Sequence, residues 1–290
     1  MILSAITFPG LGLSIDIDPV AFSVFGKPIY WYGVIIALGF TLAATYGYLR
    51  APKFGIESEK ILDMLFCAVP AAIVCARAYY CIFYWELFRD DPIRCLYIWE
   101  GGIAIYGAVI GAVLAVVIYC KVTKQRIGPF VDIGGLGLLI GQCIGRWGNF
   151  VNQEAYGAVT DSVLRMGLAN WMGEYSYFHP TFFYESAWNL LGFMILHGYS
   201  KHRRYDGEVF TLYVAWYGLG RAWIEGLRTD SLYLFSTGIR VSQLLAIVSC
   251  LAAVGLLVYV HTVKKPKREN LQVYSAEQKT NKEEENHESD

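Results

Sequence analysis

From Gly145 to Gly157 the chain reads Gly-Arg-Trp-Gly-Asn-Phe-Val-Asn-Gln-Glu-Ala-Tyr-Gly. Arg146 brings a guanidinium, Asn149, Asn152 and Gln153 bring carboxamides, and Glu154 a carboxylate. The stretch follows an apolar, glycine-spotted run with no ionised side chain between Asp132 and Arg146. Polar groups this dense at the end of a membrane-type segment are costly unless something uses them. The three glycines let the backbone turn or come close to a ligand.

A second constellation is formed by Tyr217, Arg221, Glu225 and Arg228. Their spacing of four, four and three residues puts them on one face of a helix. Glu225 can pair with Arg221 or with Arg228, which leaves the other arginine's donors for a ligand. A guanidinium fork matches the oxygens of a phosphate and stays charged in a low dielectric. Taken alone, this face reads equally well as an ion-pair stripe that fixes helix packing. Taken together, Arg146 and Arg221 point to an anion with a long apolar attachment, a phospholipid headgroup. Asn149, Asn152 and Glu154 then serve to orient the arginines and the neutral part of that headgroup. Arg77, in an otherwise apolar span, is a third cation expected to face the protein interior.

Other polar residues have plainer readings. Tyr32 and Tyr106 suit the aromatic belt at a membrane interface. His179 reads as a loop histidine, and Pro180 and Glu185 as the start of a helix. The sequence lacks His-Glu-x-x-His, a Gly-x-Ser-x-Gly elbow, a P-loop and zinc-site spacing, so no metal or other cofactor is expected, and no nucleic-acid partner. The seven cysteines are scattered without a Cys-x-x-Cys pair and read as small buried hydrophobes.

The elements that must hold these groups are membrane helices. The chain is 55% hydrophobic but only 17% charged, against roughly a quarter in a soluble domain. Apolar spans are expected at Trp31–Leu49, Ile61–Tyr84, Ile103–Tyr119, Phe130–Ile144, Phe182–His197, Val209–Ile224 and Val241–Val260. Basic residues follow the first (Arg50, Lys53, Lys60), third (Lys121, Lys124, Arg126), fifth (Lys201, Arg203, Arg204) and seventh (Lys264, Lys265, Lys267, Arg268). By the positive-inside rule these loops are cytoplasmic and the N-terminus lies outside. The expected fold is thus all-α: a polytopic membrane protein of about seven transmembrane helices with a cytoplasmic C-terminus. The chain divides into a membrane domain over 1–263, with a polar external segment at 145–180, and a charged tail over 264–290 too poor in apolar residues to build a core. No cleaved signal peptide is expected, because a basic n-region is missing and Asp16 and Asp18 interrupt the N-terminal segment. Trp31-Tyr32-Gly33 recurs as Trp216-Tyr217-Gly218, which is too little to argue an inverted repeat.

The Gly145–Gly157 stretch closely resembles the signature of the bacterial prolipoprotein diacylglyceryl transferases. Tyr30-Trp31-Tyr32-Gly33, Glu100-Gly101-Gly102, His179-Pro180 with Tyr184-Glu185, and Tyr217-Gly218 with Arg221, Glu225 and Arg228 fall where that family has them. The resemblance implies a multi-pass enzyme of the bacterial plasma membrane with its active site toward the outer face. Such an enzyme moves the diacylglyceryl group of phosphatidylglycerol to the thiol of the lipobox cysteine in a prolipoprotein signal peptide, and glycerol phosphate leaves. It implies that Arg146 and Arg221 are the essential arginines. The mechanism expected around them has Glu154 or Glu225 holding an arginine in place or accepting the thiol proton, and Tyr32, Tyr106 and Tyr217 supplying hydrogen bonds. It implies phosphatidylglycerol binding by Arg146, Asn149, Asn152, Gly157, Arg221 and Arg228. One position departs: the histidine often proposed as the family's base is Tyr106 here, and a phenol near pKa ~10 is a poor base at neutral pH. The competing expectation, from another class, is a transporter or channel for a small anion.

Overall fold

The computed structural model describes residues 5–170, 172–229 and 238–275. Among these are seven α-helices: α1 (Trp31–Arg50), α2 (Ser58–Phe83), α3 (Ile105–Val122), α4 (Ile127–Val151), α5 (Thr181–Tyr199), α6 (Glu208–Ile224) and α7 (Val241–Tyr259). Helices α1, α2, α3, α4 and α7 are long and apolar enough to cross a membrane. Their apolar side chains face outward: Val109, Val113, Leu114 and Ile118 of α3 and Leu245, Val248 and Leu251 of α7 are all exposed. A surface of that kind belongs in lipid, and the chain is a membrane protein. Helices α5 and α6 fall outside that set; α6 has only 17 residues, and both carry the ionisable groups described below.

The all-α expectation needs correcting, because among the described residues six short strands accompany the helices. Strands β1 (Ile6–Phe8), β2 (Leu13–Ile15), β5 (Met166–Ala169) and β6 (Tyr175–Phe178) form an antiparallel sheet in the order β2-β1-β5-β6. Strands β3 (Val20–Val24) and β4 (Lys27–Tyr30) form a hairpin that leads into α1. With three to five residues each, these strands show too little alternation to stand out beside the apolar helical runs.

The chain divides into two compact units, one comprising residues 1–46 and 132–268, the other 47–131 and 269–290. In the first, the four-stranded sheet packs Ile6, Phe8, Met166 and Leu168 against Phe150 and Val151 of α4 and Phe182 of α5. The Phe150 and Phe182 rings stack with centroids 4.6 Å apart. Burying each such side chain contributes about 1.5–3 kcal/mol, which fixes the end of α4 against the start of α5.

The helix α4 itself corrects a second expectation. The polar signature was read as opening a connection after Ile144, but the helix continues to Val151. Gly145 and Gly148 do not break it; they admit neighbours from α1. A Cβ on Gly145 would lie 3.3 Å from Ile36, and one on Gly148 2.9 Å from the Tyr32 ring. Arg146 and Asn149 therefore project from the last two turns of a helix.

Helices α5 and α6 are locked by a reciprocal tryptophan pair. Trp188 Nε1 donates to the Trp216 carbonyl and Trp216 Nε1 donates to the Trp188 carbonyl, each at 3.1 Å. Their rings stack at 4.4 Å. Each indole lies over a glycine of the facing helix, Trp216 over Gly192 and Trp188 over Gly220. The other end of α6 is anchored by buried carboxylates. Asp132 accepts from the backbone N–H groups of Gly207 and Phe210, both at 2.8 Å. Glu208 accepts from the Tyr199 hydroxyl at 2.6 Å and contacts His261 Nε2 at 2.9 Å. Two acids at a helix N-terminus complement its dipole.

In the second unit, α2 and α3 pack closely through Gly107 and Gly111, where a Cβ would lie 2.4 Å from the Cys75 carbonyl oxygen and 2.5 Å from that of Ala71. Arg77 of α2 is buried as expected. Its donors are spent on backbone: Nε on Cys95 O at 2.9 Å, Nη2 on Arg94 O at 2.6 Å, and Nη1 on Gly101 O and Gly102 O. It thus clasps the connection between α2 and α3. Within the tail read from composition, residues 268–270 form a 3-10 turn, Leu271 is buried, and Gln272 donates to Gly55 O at 2.8 Å. The acidic run from 276 onward lies outside the described residues.

Candidate active site

The ends of α4, α5 and α6 are stitched together by the short backbone segment 155–158. Gly157 N donates to His179 O at 2.9 Å and Ala158 N to Leu227 O at 2.7 Å, while His179 N donates to Ala158 O at 3.0 Å. Gly157 also bridges Arg228 in antiparallel pairing. A Cβ at Gly157 would meet His179 Cβ at 2.7 Å and Leu227 O at 2.9 Å, so only glycine lets the three elements meet here. The Thr181 hydroxyl donates to Ala155 O, fastening the first turn of α5 to the same segment.

These ends bring together a charge cluster with Glu185 of α5 at its centre. Glu185 Oε2 lies 2.5 Å from Arg146 Nη2, and its Oε1 lies 3.0 Å from Arg221 Nη1 and 3.7 Å from Arg228 Nη1. Glu225 Oε2 lies 2.7 Å from Arg221 Nη2, one helical turn on. Of the two pairings open from the sequence, Glu225 therefore takes Arg221. Arg240 donates to the Glu225 carbonyl oxygen and fastens the start of α7 to this corner.

A hydrogen-bonded relay leaves the cluster from Arg146. Its Nη1 donates to Asn149 Oδ1 at 3.1 Å, and Asn149 Nδ2 donates to Glu154 Oε1 at 2.9 Å. Asn152 Nδ2 reaches the same oxygen at 3.4 Å. Both contacts of Glu154 are thus carboxamides, and Glu154 orients Arg146 through Asn149.

Among the described residues three guanidiniums here meet two ion-paired carboxylates, one cation more than the anions they pair with. Both carboxylates are more buried than the arginines: the side chains of Glu225 and Glu185 are 2% and 6% exposed, against 23% for Arg146 and 16% for Arg221. The outer edges of both guanidiniums remain reachable. Such a clamp in a poorly hydrated setting suits an anion with oxygens to share between two forks.

Tyr32 joins the same region by packing on Gly148. With Pro19, Pro28, Ile29, Tyr30 and Asn152 it lines a cavity of about 600 Å³ between the β3–β4 hairpin and the signature. Tyr217 lies one turn before Arg221 on α6, its ring stacked with Tyr213 at 5.9 Å. His179 Nδ1 is 3.3 Å from the Tyr184 hydroxyl, consistent with a loop histidine held by its neighbour. Tyr106 belongs to the second unit, at the start of α3, half-exposed and 6.4 Å from the Tyr79 ring.

Two members of the cluster were missed from the sequence. Glu185 was read as helix-start chemistry, and Arg240 was not singled out. A signal for Glu185 existed: it is the only ionised residue between Thr181 and Leu196, and no basic side chain lies one turn away on its own helix. An acid alone in an apolar helix requires a partner from another element.

A family model described as prolipoprotein diacylglyceryl transferase matches residues 19–259. A protein of Lysinibacillus sphaericus named phosphatidylglycerol–prolipoprotein diacylglyceryl transferase is 40% identical over 263 residues, covering 88% of this chain and 96% of its own. Proteins of the same name are similar in Listeria innocua, at 42% over 257 residues (86% and 92% covered), and in Shouchella clausii, at 44% over 247 residues (83% and 89% covered).

Proposed function

The chain belongs to the prolipoprotein diacylglyceryl transferase family, and from that premise we infer that it transfers the diacylglyceryl group of phosphatidylglycerol to a prolipoprotein, an enzymatic step of lipoprotein biosynthesis. The anion transporter or channel is not favoured, since relatives matched over most of their length are named as transferases. The acceptor in this reading is the thiol of the lipobox cysteine. The observation that carries it is the positively charged cluster of Arg146, Arg221 and Arg228 around Glu185 and Glu225.

In the proposed arrangement all seven helices cross the plasma membrane of a bacterium. The N-terminus is outside and the C-terminal tail beyond 263 is cytoplasmic, as the loop charges favour. The arginine cluster then faces the outer leaflet. Arg146 and Arg221 hold the lipid phosphate, Arg228 adds charge behind them, and Asn149, Asn152 and the backbone around Gly157 receive the glycerol part of the headgroup.

The thiolate attacks the glycerol carbon that bears the phosphate ester. A C–S bond forms, the C–O bond breaks, and its electron pair leaves on the phosphate oxygen of glycerol phosphate. Negative charge grows on that phosphate, where two preorganised guanidiniums stabilise it; donors of this kind are worth a few kcal/mol each. The thiol, with an unperturbed pKa near ~8.5, needs only modest help to lose its proton. Glu154 is the acceptor we assign, because its described contacts are neutral carboxamides rather than guanidiniums and it is open to solvent. Glu225 holds Arg221, while Tyr32 and Tyr217 supply hydrogen bonds.

The test is an assay with purified protein, labelled phosphatidylglycerol and a lipobox peptide. Label on the peptide thiol is expected. Its absence, with the protein shown to be folded, overturns the assignment.

A further inference from the structure

The chemistry above needs cations around the phosphate, yet Glu185 places a carboxylate in the middle of them. Its two oxygens engage Arg146 and Arg221, at 2.5 and 3.0 Å, with Arg228 at 3.7 Å. Pairing alone does not require it on Arg221, which already has Glu225 at 2.7 Å. At 6% side-chain exposure Glu185 is more buried than the arginines it pairs with, at 23%, 16% and 11%, so a ligand reaches the guanidiniums more readily than it reaches the carboxylate.

Charge explains what a buried carboxylate does. The phosphodiester of the lipid carries one negative charge, whereas the departing glycerol phosphate is a monoester with a second pKa near ~6 and carries about two at neutral pH. A purely cationic clamp would therefore hold the product more tightly than the substrate. A fixed anion shared by the guanidiniums opposes this, because its repulsion grows with ligand charge. We propose that Glu185 acts through Arg146, Arg221 and Arg228 as an internal competitor of the departing glycerol phosphate, so that the product is released. The proposal rests on the transfer reading given above.

A purely architectural role for Glu185 predicts the opposite sign. If it only held helices together, its loss would loosen the arginines and weaken phosphate binding. Competition predicts tighter binding. Even at the dielectric of bulk water, about 80, removing one charge about 6 Å from a dianion changes affinity by about tenfold, and by more where the site is less hydrated.

The experiment measures glycerol phosphate binding to the purified full-length protein by calorimetry, together with its inhibition of transfer. In Glu185→Gln the dissociation and inhibition constants are expected to fall about tenfold, with a lower kcat and no rise in KM for phosphatidylglycerol. Glu185→Asp, which retracts the charge by one carbon, is expected to lower both constants by about two- to threefold. It decides the matter alone if Glu185→Gln does not fold. Unchanged or raised constants in a folded variant overturn the proposal. A wild-type protein that binds glycerol phosphate without transferring label refutes the transfer reading instead, while the calorimetric comparison still decides the role of Glu185.

Discussion

Trp188 and Trp216 each donate an indole N–H to the other's backbone carbonyl at 3.1 Å, with their rings stacked at 4.4 Å. This mutual bond sets the register of α5 against α6. Glu185 lies one turn before Trp188, and Arg221 five residues after Trp216, so the same register brings Glu185 Oε1 to 3.0 Å from Arg221 Nη1. Helix packing and site assembly are here one constraint.

Gly220→Ala tests that constraint, since its Cβ would lie 2.1 Å from Trp188 Nε1. Overpacking of this kind costs about 1–3 kcal/mol. The variant is expected to unfold at lower temperature in detergent and to lose transfer activity. Wild-type values for both would show that the tryptophan pair does not set the register.

Gly157→Ala inserts a methyl 2.7 Å from His179 Cβ and 2.9 Å from Leu227 O, both rigidly placed by backbone pairing. Transfer is expected to fall by about a hundredfold or more, as small displacements of reacting groups do elsewhere. Retained activity would mean that the segment 155–158 does not hold the ends of α5 and α6 in place.

Glu154→Gln removes the assigned proton acceptor while keeping oxygen and shape. At neutral pH its rate is expected to drop by about 10²–10⁴. Raising the pH toward ~8.5 and above forms the thiolate without help, so the variant should recover relative to wild type as pH increases. A deficit that stays constant across that range would assign the proton to another group.

Arg77→Met leaves the carbonyls of Arg94, Cys95, Gly101 and Gly102 without their shared donor. An unmade buried hydrogen bond costs about 1–3 kcal/mol. The expected result is faster proteolysis of the connection at 85–104 and a lower unfolding temperature. An unchanged cleavage rate would contradict the clasp.

The sequence made the helices legible because long apolar runs have few other uses, and it exposed Arg146 and Arg221 because charge in such runs is costly. It hid the continuation of α4 through Val151, because Gly145 and Gly148 read as turn formers when they serve close packing against α1. The strands went unread because β1 and β5 find each other across more than a hundred residues, and a three-residue strand carries no period of its own. Glu185 was obscured for a related reason: its partner Arg221 is 36 residues away, and local spacing reports only on partners within a turn or two.

The central claim is that paired guanidiniums, acting as forks, hold the lipid phosphate during transfer. Arg146→Lys preserves the charge and removes the fork, so the decisive measurement is its rate of label transfer from phosphatidylglycerol to a lipobox peptide, with folding verified by thermal unfolding. A loss of about 10²–10³ in rate is expected, the usual consequence of removing one preorganised donor pair. Transfer at a near wild-type rate by the folded variant would contradict the account.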